Sequence, residues 1–122
     1  MEQGAGLSGL KVLVVEDEPL VAMALEDMLT DSGCTVAGPA ASVNEGMRLI
    51  GEETVDGAVL DVNLGGEMVF PLADALAERS IPFVYVTGYG KLLRACNHDR
   101  PVLQKPYSNQ QLLKIIGQWR PR

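Results

Sequence analysis

The sequence predicts an α/β fold in which five parallel strands form one doubly wound sheet with helices on both faces. Two observations predict it. Short apolar, β-branched runs alternate with longer segments whose apolar residues recur at helical spacing, and this alternation implies a parallel sheet covered on both sides. The 122 residues, 47% apolar and 21% charged, are also enough for one domain with its own core. Right-handed crossovers then leave few topologies open.

Each element follows from its residues. Leu10-Lys11-Val12-Leu13-Val14-Val15 is the first strand, an unbroken run suited to burial on both faces. It stops at Glu16-Asp17-Glu18-Pro19, and Pro19 fits a first helical turn, where its missing N–H costs nothing. Val21, Leu25, Met28 and Leu29 mark one face of the first helix, Glu26, Asp27 and Asp31 lie off that stripe, and Gly33 stops it. Thr35-Val36-Ala37-Gly38 is the second strand. Ser42 and Glu45 form a capping box ahead of a helix with Val43, Met47 and Ile50 on its apolar face. Gly57-Ala58-Val59-Leu60 is the third strand, ended by Asp61 and followed by a polar loop, Asn63-Leu64-Gly65-Gly66-Glu67. Val69, Leu72, Ala73 and Leu76 define the third helix. The fourth strand is Pro82-Phe83-Val84-Tyr85-Val86, ending at Thr87-Gly88, after which only residues 91–96 are left for a shortened fourth helix. Pro101-Val102-Leu103-Gln104 is the fifth strand, ending at Lys105-Pro106. Ser108 and Gln111 cap a last helix that carries Leu112, Ile115, Ile116 and Trp119. Residues 1–9 read as a loose lead-in, 10–119 as the domain and 120–122 as a tail.

Charge and composition exclude several functions. Sixteen acidic against ten basic residues give a net charge of −6, and without a basic run the chain is a poor binder of nucleic-acid phosphates. No apolar stretch approaches the ~20 residues that span a bilayer, and the start, Met1-Glu2-Gln3-Gly4-Ala5-Gly6, lacks the features of a secretory signal. Cys34 and Cys96 are too few for a disulfide framework and read as small packing residues in a cytoplasmic protein. His98 is the sole histidine and excludes a His-based metal site. Tyr89 and Tyr107 sit near the rim, positioned either to pack on the core or to meet a partner.

In an open parallel sheet, ligands bind beyond the carboxyl ends of the strands. Those ends carry Glu16 and Asp17, Asp61, Thr87 and Lys105. With the flavodoxin-like strand order 2-1-3-4-5, the acids of strands one and three are neighbours, and Thr87 and Lys105 line the adjoining wall. Like charges ~5 Å apart at an effective dielectric of ~20 repel by about 3 kcal/mol. A hard divalent cation resolves this, and Mg²⁺ favours one or two carboxylates together with waters and phosphate oxygens. One Asp oxygen can then attack phosphorus, Lys105 can neutralise the acyl phosphate, Thr87 can donate to a phosphoryl oxygen, and Gly65-Gly66 keeps the adjacent loop close and uncluttered.

Val14-Val15-Glu16-Asp17-Glu18-Pro19, Leu60-Asp61-Val62-Asn63, Val86-Thr87-Gly88 and Gln104-Lys105-Pro106, each at a strand end, together resemble the receiver domain of two-component response regulators. The resemblance runs from about Leu10 to Trp119. It implies that Asp61 is the phosphoacceptor, that Asp17, Asp61 and the Asn63 carbonyl bind Mg²⁺, that Glu16 reaches the metal through water, and that Thr87 and Lys105 read the phosphoryl group. Ordinary receivers carry Tyr or Phe three residues before the Lys, and here Val102 stands there, so the usual aromatic switch is absent. Phe83-Val84-Tyr85-Val86-Thr87-Gly88-Tyr89-Gly90 is similar to the signature of the "FAT GUY" subgroup, stand-alone receivers partnered by HWE or related histidine kinases, although Tyr85-Val86 replaces its Phe-Ala.

The function this implies is a stand-alone receiver that takes a phosphoryl group from a histidine kinase or phosphotransfer protein in a phosphorelay. It would act as a binding switch or a phosphate sink and not as an enzyme, as a monomer or weak dimer, with the kinase docking beside the first helix and the segment 88–100 ordering on phosphorylation. The competing readings are a degenerate receiver that binds partners without phosphorylation, a flavodoxin-like cofactor carrier and an aspartate-nucleophile phosphohydrolase. The second is disfavoured because Glu16-Asp17-Glu18 repels a flavin phosphate. The third is disfavoured because Asn63 stands where such enzymes carry a second Asp.

Overall fold

The structure, a computed structural model, describes residues 7–88 and 100–121. The shortened fourth helix expected over 91–96, Tyr89, Cys96, His98 and most of the segment 88–100 lie outside the described residues. The elements are β1 (Lys11–Val15), α1 (Pro19–Asp31), β2 (Thr35–Ala40), α2 (Val43–Glu52), β3 (Gly57–Asp61), β4 (Asn63–Leu64), β5 (Glu67–Met68), α3 (Phe70–Glu78), β6 (Phe83–Thr87), β7 (Val102–Gln104) and α4 (Asn109–Ile116). Five strands pair in parallel in the order β2-β1-β3-β6-β7, which is the predicted order of the five long strands.

The three central strands divide their side chains between two cores with the strand period of two. Leu13, Val15, Ala58, Leu60, Phe83 and Tyr85 pack with residues of α2 and α3, whereas Val12, Val14, Val59, Val84 and Val86 pack with residues of α1 and α4. β3 and β6 are buried along their whole length, which is why they read as continuous apolar runs. Each such Val or Leu contributes roughly 1.5–3 kcal/mol by leaving water. Leu7 and Leu10 are buried ahead of β1, so the core begins before the first strand. Trp119 lies beyond α4 and covers Gly57, where a Cβ would stand 2.2 Å from the indole ring. Among the described residues no helix is long and apolar enough to cross a membrane.

Several local expectations are corrected. β2 runs on to Ala40 through Gly38 at φ +92° and a cis peptide to Pro39, and an edge strand tolerates that proline. Met47, expected on the inner face of α2, is 39% exposed. Val43 and Ile50 face inward as expected, joined by Gly46 and Leu49 in place of Met47, because Gly46 lets α2 close on Leu72 of α3, where a Cβ would lie 2.5 Å from a Leu72 methyl. Val21, Met28 and Ile115 are half-buried at the margins of their stripes. The polar loop after Asp61 folds into a small antiparallel hairpin, β4–β5, whose turn residues Gly65 and Gly66 have φ +67° and +106°, the pair of positive values that a type I′ turn needs. Ser108 and Gln111 make a reciprocal capping box. The Ser42 hydroxyl likewise accepts from Glu45 N–H, but the Glu45 carboxylate reaches back to Ala41 N–H.

Candidate functional site

The sheet delivers its polar residues to one rim. β1 ends at Val15, so Glu16 and Asp17 emerge directly from a buried strand, and Glu16 N–H donates to the Ala40 carbonyl at 2.9 Å, which extends the β1–β2 pairing. β3 pairs with β1 and β6 and ends at Asp61, which puts that carboxylate between the first strand and the fourth long strand. One oxygen each from Glu16, Asp17 and Asp61 lie within 4.8 Å of one another. Lys105 follows β7, and its N–H donates to the Thr87 carbonyl at 2.8 Å. That bond fixes the stem whose ammonium stands 3.6 Å from both Glu16 Oε1 and Asp61 Oδ2.

Four of the six residues singled out in the sequence are therefore one cluster, and the other two flank it. Asn63 lines the cleft, and its side-chain oxygen accepts from Gly66 N–H at 2.7 Å, so the amide closes the hairpin turn. Thr87 is buried at the end of β6, where Gly88 and not Thr87 lines the cleft. The cleft holds about 400 Å³, bounded by Asp17, Glu18, Asp61, Asn63, Gly65, Gly88 and Lys105. At Gly65 a Cβ would sit 3.1 Å from Asp17 Oδ2, so glycine there gives the hairpin its close approach to the acids.

The electrostatics are unbalanced toward negative charge. The Glu16 carboxyl is pushed up to about 7, mainly by burial. The charge of Asp61 and a hydrogen bond with it push the same way, while the Glu18 N–H and Lys105 pull it down. Glu16 Oε2 accepts from Glu18 N–H at 3.1 Å, whereas the buried Oε1 has no hydrogen-bond partner among the described residues. Burial also raises the Tyr107 phenol, with Glu16 and Asp61 adding to it. Tyr107 is half-buried and packs at the edge of the α1/α4 core.

Three convergent carboxylates with one unsatisfied buried oxygen make a hard-oxygen donor set, which fits Mg²⁺ and not a soft thiophilic metal. Glu18, Gly88 and the hairpin residue Glu67 were missed in the sequence as parts of this rim. The signal for Glu18 was its place two residues after Glu16, which lets its N–H return to that side chain. Glu67 left no local signal, because its partner is 24 residues away.

Comparison with known proteins bears directly on this rim. The family model described as "Response regulator receiver domain" matches residues 12–117. The chain is similar to the phyllosphere-induced regulator PhyR of Methylorubrum extorquens, with 27% identity over 113 residues, or 88% of this chain and 42% of that protein. It spans less than half the length of the curated relatives it matches. The solution structure of SdrG from Sphingomonas melonis Fr1 is 42% identical with a TM-score of 0.75, covering 88% of this chain and 93% of that one. The receiver domain of the sensor histidine kinase PA1611 from Pseudomonas aeruginosa PAO1, with a magnesium ion coordinated in its active site cleft, shares the fold at a TM-score of 0.79 and 21% identity, over 92% of this chain and 98% of that one.

Proposed function

The chain belongs to the response regulator receiver family, a phosphoacceptor signalling module and not a catalytic enzyme, and on that premise we propose that it is a stand-alone receiver of the FAT GUY type. In this reading it accepts a phosphoryl group onto Asp61 from the phosphohistidine of a histidine kinase, HWE-type or related, or of a phosphotransfer protein. The observation that carries the reading is the convergence of Glu16, Asp17 and Asp61 within 4.8 Å, with Lys105 at 3.6 Å from two of them. The similarity to SdrG over 93% of its length supports the stand-alone part.

Asp17 and Asp61, with the Asn63 carbonyl, would hold Mg²⁺, and Glu16 would reach it through water. When bound, Mg²⁺ supplies positive charge that offsets the repulsion among the acids and attracts phosphoryl oxygens. Asp61 provides the nucleophile: a carboxylate oxygen forms a bond to phosphorus while the P–N bond of phosphohistidine breaks, and its electron pair stays on the imidazole nitrogen. Lys105 already spans Glu16 and Asp61 and needs only a side-chain rotation to pair with a phosphoryl oxygen on Asp61. Thr87, fixed at the end of β6, donates its hydroxyl to another of those oxygens. The phosphorylated chain then acts as a protein-binding switch or drains phosphoryl groups from the kinase.

The test is phosphotransfer from a ³²P-labelled histidine kinase to wild type and to Asp61→Asn. Label appears on the wild type in the presence of Mg²⁺ and is absent from the variant. Labelling of Asp61→Asn at another residue overturns the assignment.

A further inference from the structure

The β4–β5 hairpin does more than follow Asp61 in sequence. Its outer residue, Glu67, is exposed, yet its carboxylate oxygen accepts from Val43 N–H at 3.1 Å, the first residue of α2. The rest of that helix start is capped locally, by Ser42 on Glu45 N–H and by Glu45 on Ala41 N–H. Among the described residues, Glu67 is the cap at this terminus that comes from a distant segment of the chain, and its negative charge suits a helix N-terminus.

From Glu67 a chain of hydrogen bonds and covalent links runs around the cleft, completed by the close packing of Gly65 on Asp17. Gly65 and Gly66 lead back to the point where Gly65 lies against Asp17. Asp17 is covalently next to Glu16, whose N–H is held by the Ala40 carbonyl at the end of β2. Ala40 leads through Ala41 and Ser42 to Val43, which returns to Glu67. Asn63 Oδ1 braces the turn from inside by accepting from Gly66 N–H. A movement of Asp17 toward Gly65 would push on the hairpin and so on the Glu67–Val43 bond, and loss of that bond would leave the lip that carries Asn63 and Gly65 without its tie to α2.

We propose that Glu67 is a positioning residue of the acceptor site, a strap that ties the β4–β5 lip to the start of α2, sets the lip against Asp17, and makes the α2 N-terminus respond to what the cleft holds. The inference rests on the acceptor reading above for its biological use, but its geometry is separate from phosphorylation. Glu67 itself touches neither cation nor phosphoryl group. Outer partners of metal ligands commonly alter metal affinity by 10–100-fold when removed, and a strap one step further out belongs at the low end of that range.

The experiment uses the full chain and two probes, Mg²⁺ alone and Mg²⁺ with beryllofluoride. It reads backbone amide spectra at Gly65 and Val43 together with the Mg²⁺ dissociation constant. In wild type both amides shift when Mg²⁺ is added. In E67A the Gly65 amide still shifts, the Val43 amide no longer does, and the Mg²⁺ dissociation constant rises about tenfold. E67Q, whose amide oxygen can still accept from Val43, restores the Val43 response and most of the affinity. Wild-type affinity together with a wild-type Val43 response in E67A overturns the proposal, as does a Val43 amide that ignores Mg²⁺ in the wild type. Asp61→Asn keeps the two readings apart: beryllofluoride shifts that persist in this variant refute the acceptor reading, while the Mg²⁺ arm still decides the strap.

Discussion

The same central strands carry acids at both ends, and the two ends treat them differently. At the amino ends, Asp56 just before β3 accepts from Lys11 N–H at 2.7 Å and donates its own N–H to the Lys11 carbonyl at 2.7 Å, while the Lys11 ammonium pairs with Glu53. At the carboxyl ends, Glu16, Asp17 and Asp61 converge, but the Lys105 ammonium reaches only Glu16 and Asp61, each at 3.6 Å, and one buried oxygen of Glu16 has no hydrogen-bond partner among the described residues. The first set is matched by the protein's own donors and holds strands and loops in place. The second set lacks such a match, and a buried carboxylate with one oxygen unpaired carries a cost that a cation, or a proton on Glu16, relieves.

The largest break in this contrast comes from single substitutions at the two ends. Asp61→Asn abolishes phosphoryl acceptance from a cognate kinase while far-ultraviolet circular dichroism stays unchanged. Asp56→Ala leaves acceptance intact and lowers the unfolding free energy by about 1 kcal/mol, measured by urea titration, because the half-buried Lys11 N–H loses its acceptor. If the two variants exchange effects, the division between structural and functional acids is wrong.

Mg²⁺ sharpens the contrast next. At ten times its dissociation constant it raises stability by about 1.4 kcal/mol and Tm by about 5 °C, since the folded chain alone gathers the acids. The same addition leaves Asp17→Asn almost unmoved in a thermal melt.

The smallest effect is the pH dependence of the metal-free protein. The Glu16 carboxyl has a folded value of about 7, raised from 4.5. The folded state therefore binds the extra proton, and stability is fully present below 4.5 and lost as pH rises toward and past 7. Between pH 6 and 7 the loss is about 1 kcal/mol, visible as a falling urea midpoint. Glu16→Gln flattens that slope, and a slope unchanged in Glu16→Gln assigns the proton to another group.

Much of this was legible in the sequence because it is governed by local rules. Unbroken apolar runs mark strands buried on both faces, and the polar residue that ends each run must lie at the sheet rim. Glu16, Asp17, Asp61 and Lys105 were found that way, and strand order alone brought them together. What escaped depends on contacts between distant segments. Met47 faces out because Gly46 meets Leu72 on another helix, which no periodicity within α2 reveals. The hairpin over 63–68 is too short for an alternation signal, and Glu67 finds Val43 only after α2 and the hairpin have packed. Trp119 continued the stripe of the last helix in the sequence, but in the structure it lies past that helix and fills the space left by Gly57.

The central claim is that the unmatched acids at the carboxyl ends hold a divalent cation and make Asp61 a phosphoryl acceptor. Its most direct test is intact-mass and peptide mapping of the chain after treatment with phosphoramidate, a small phosphodonor, with Mg²⁺ and then with EDTA. A single phosphoryl group on Asp61, formed only with Mg²⁺, is the predicted result. Modification at another residue, or equal modification of Asp61 in EDTA, would contradict it.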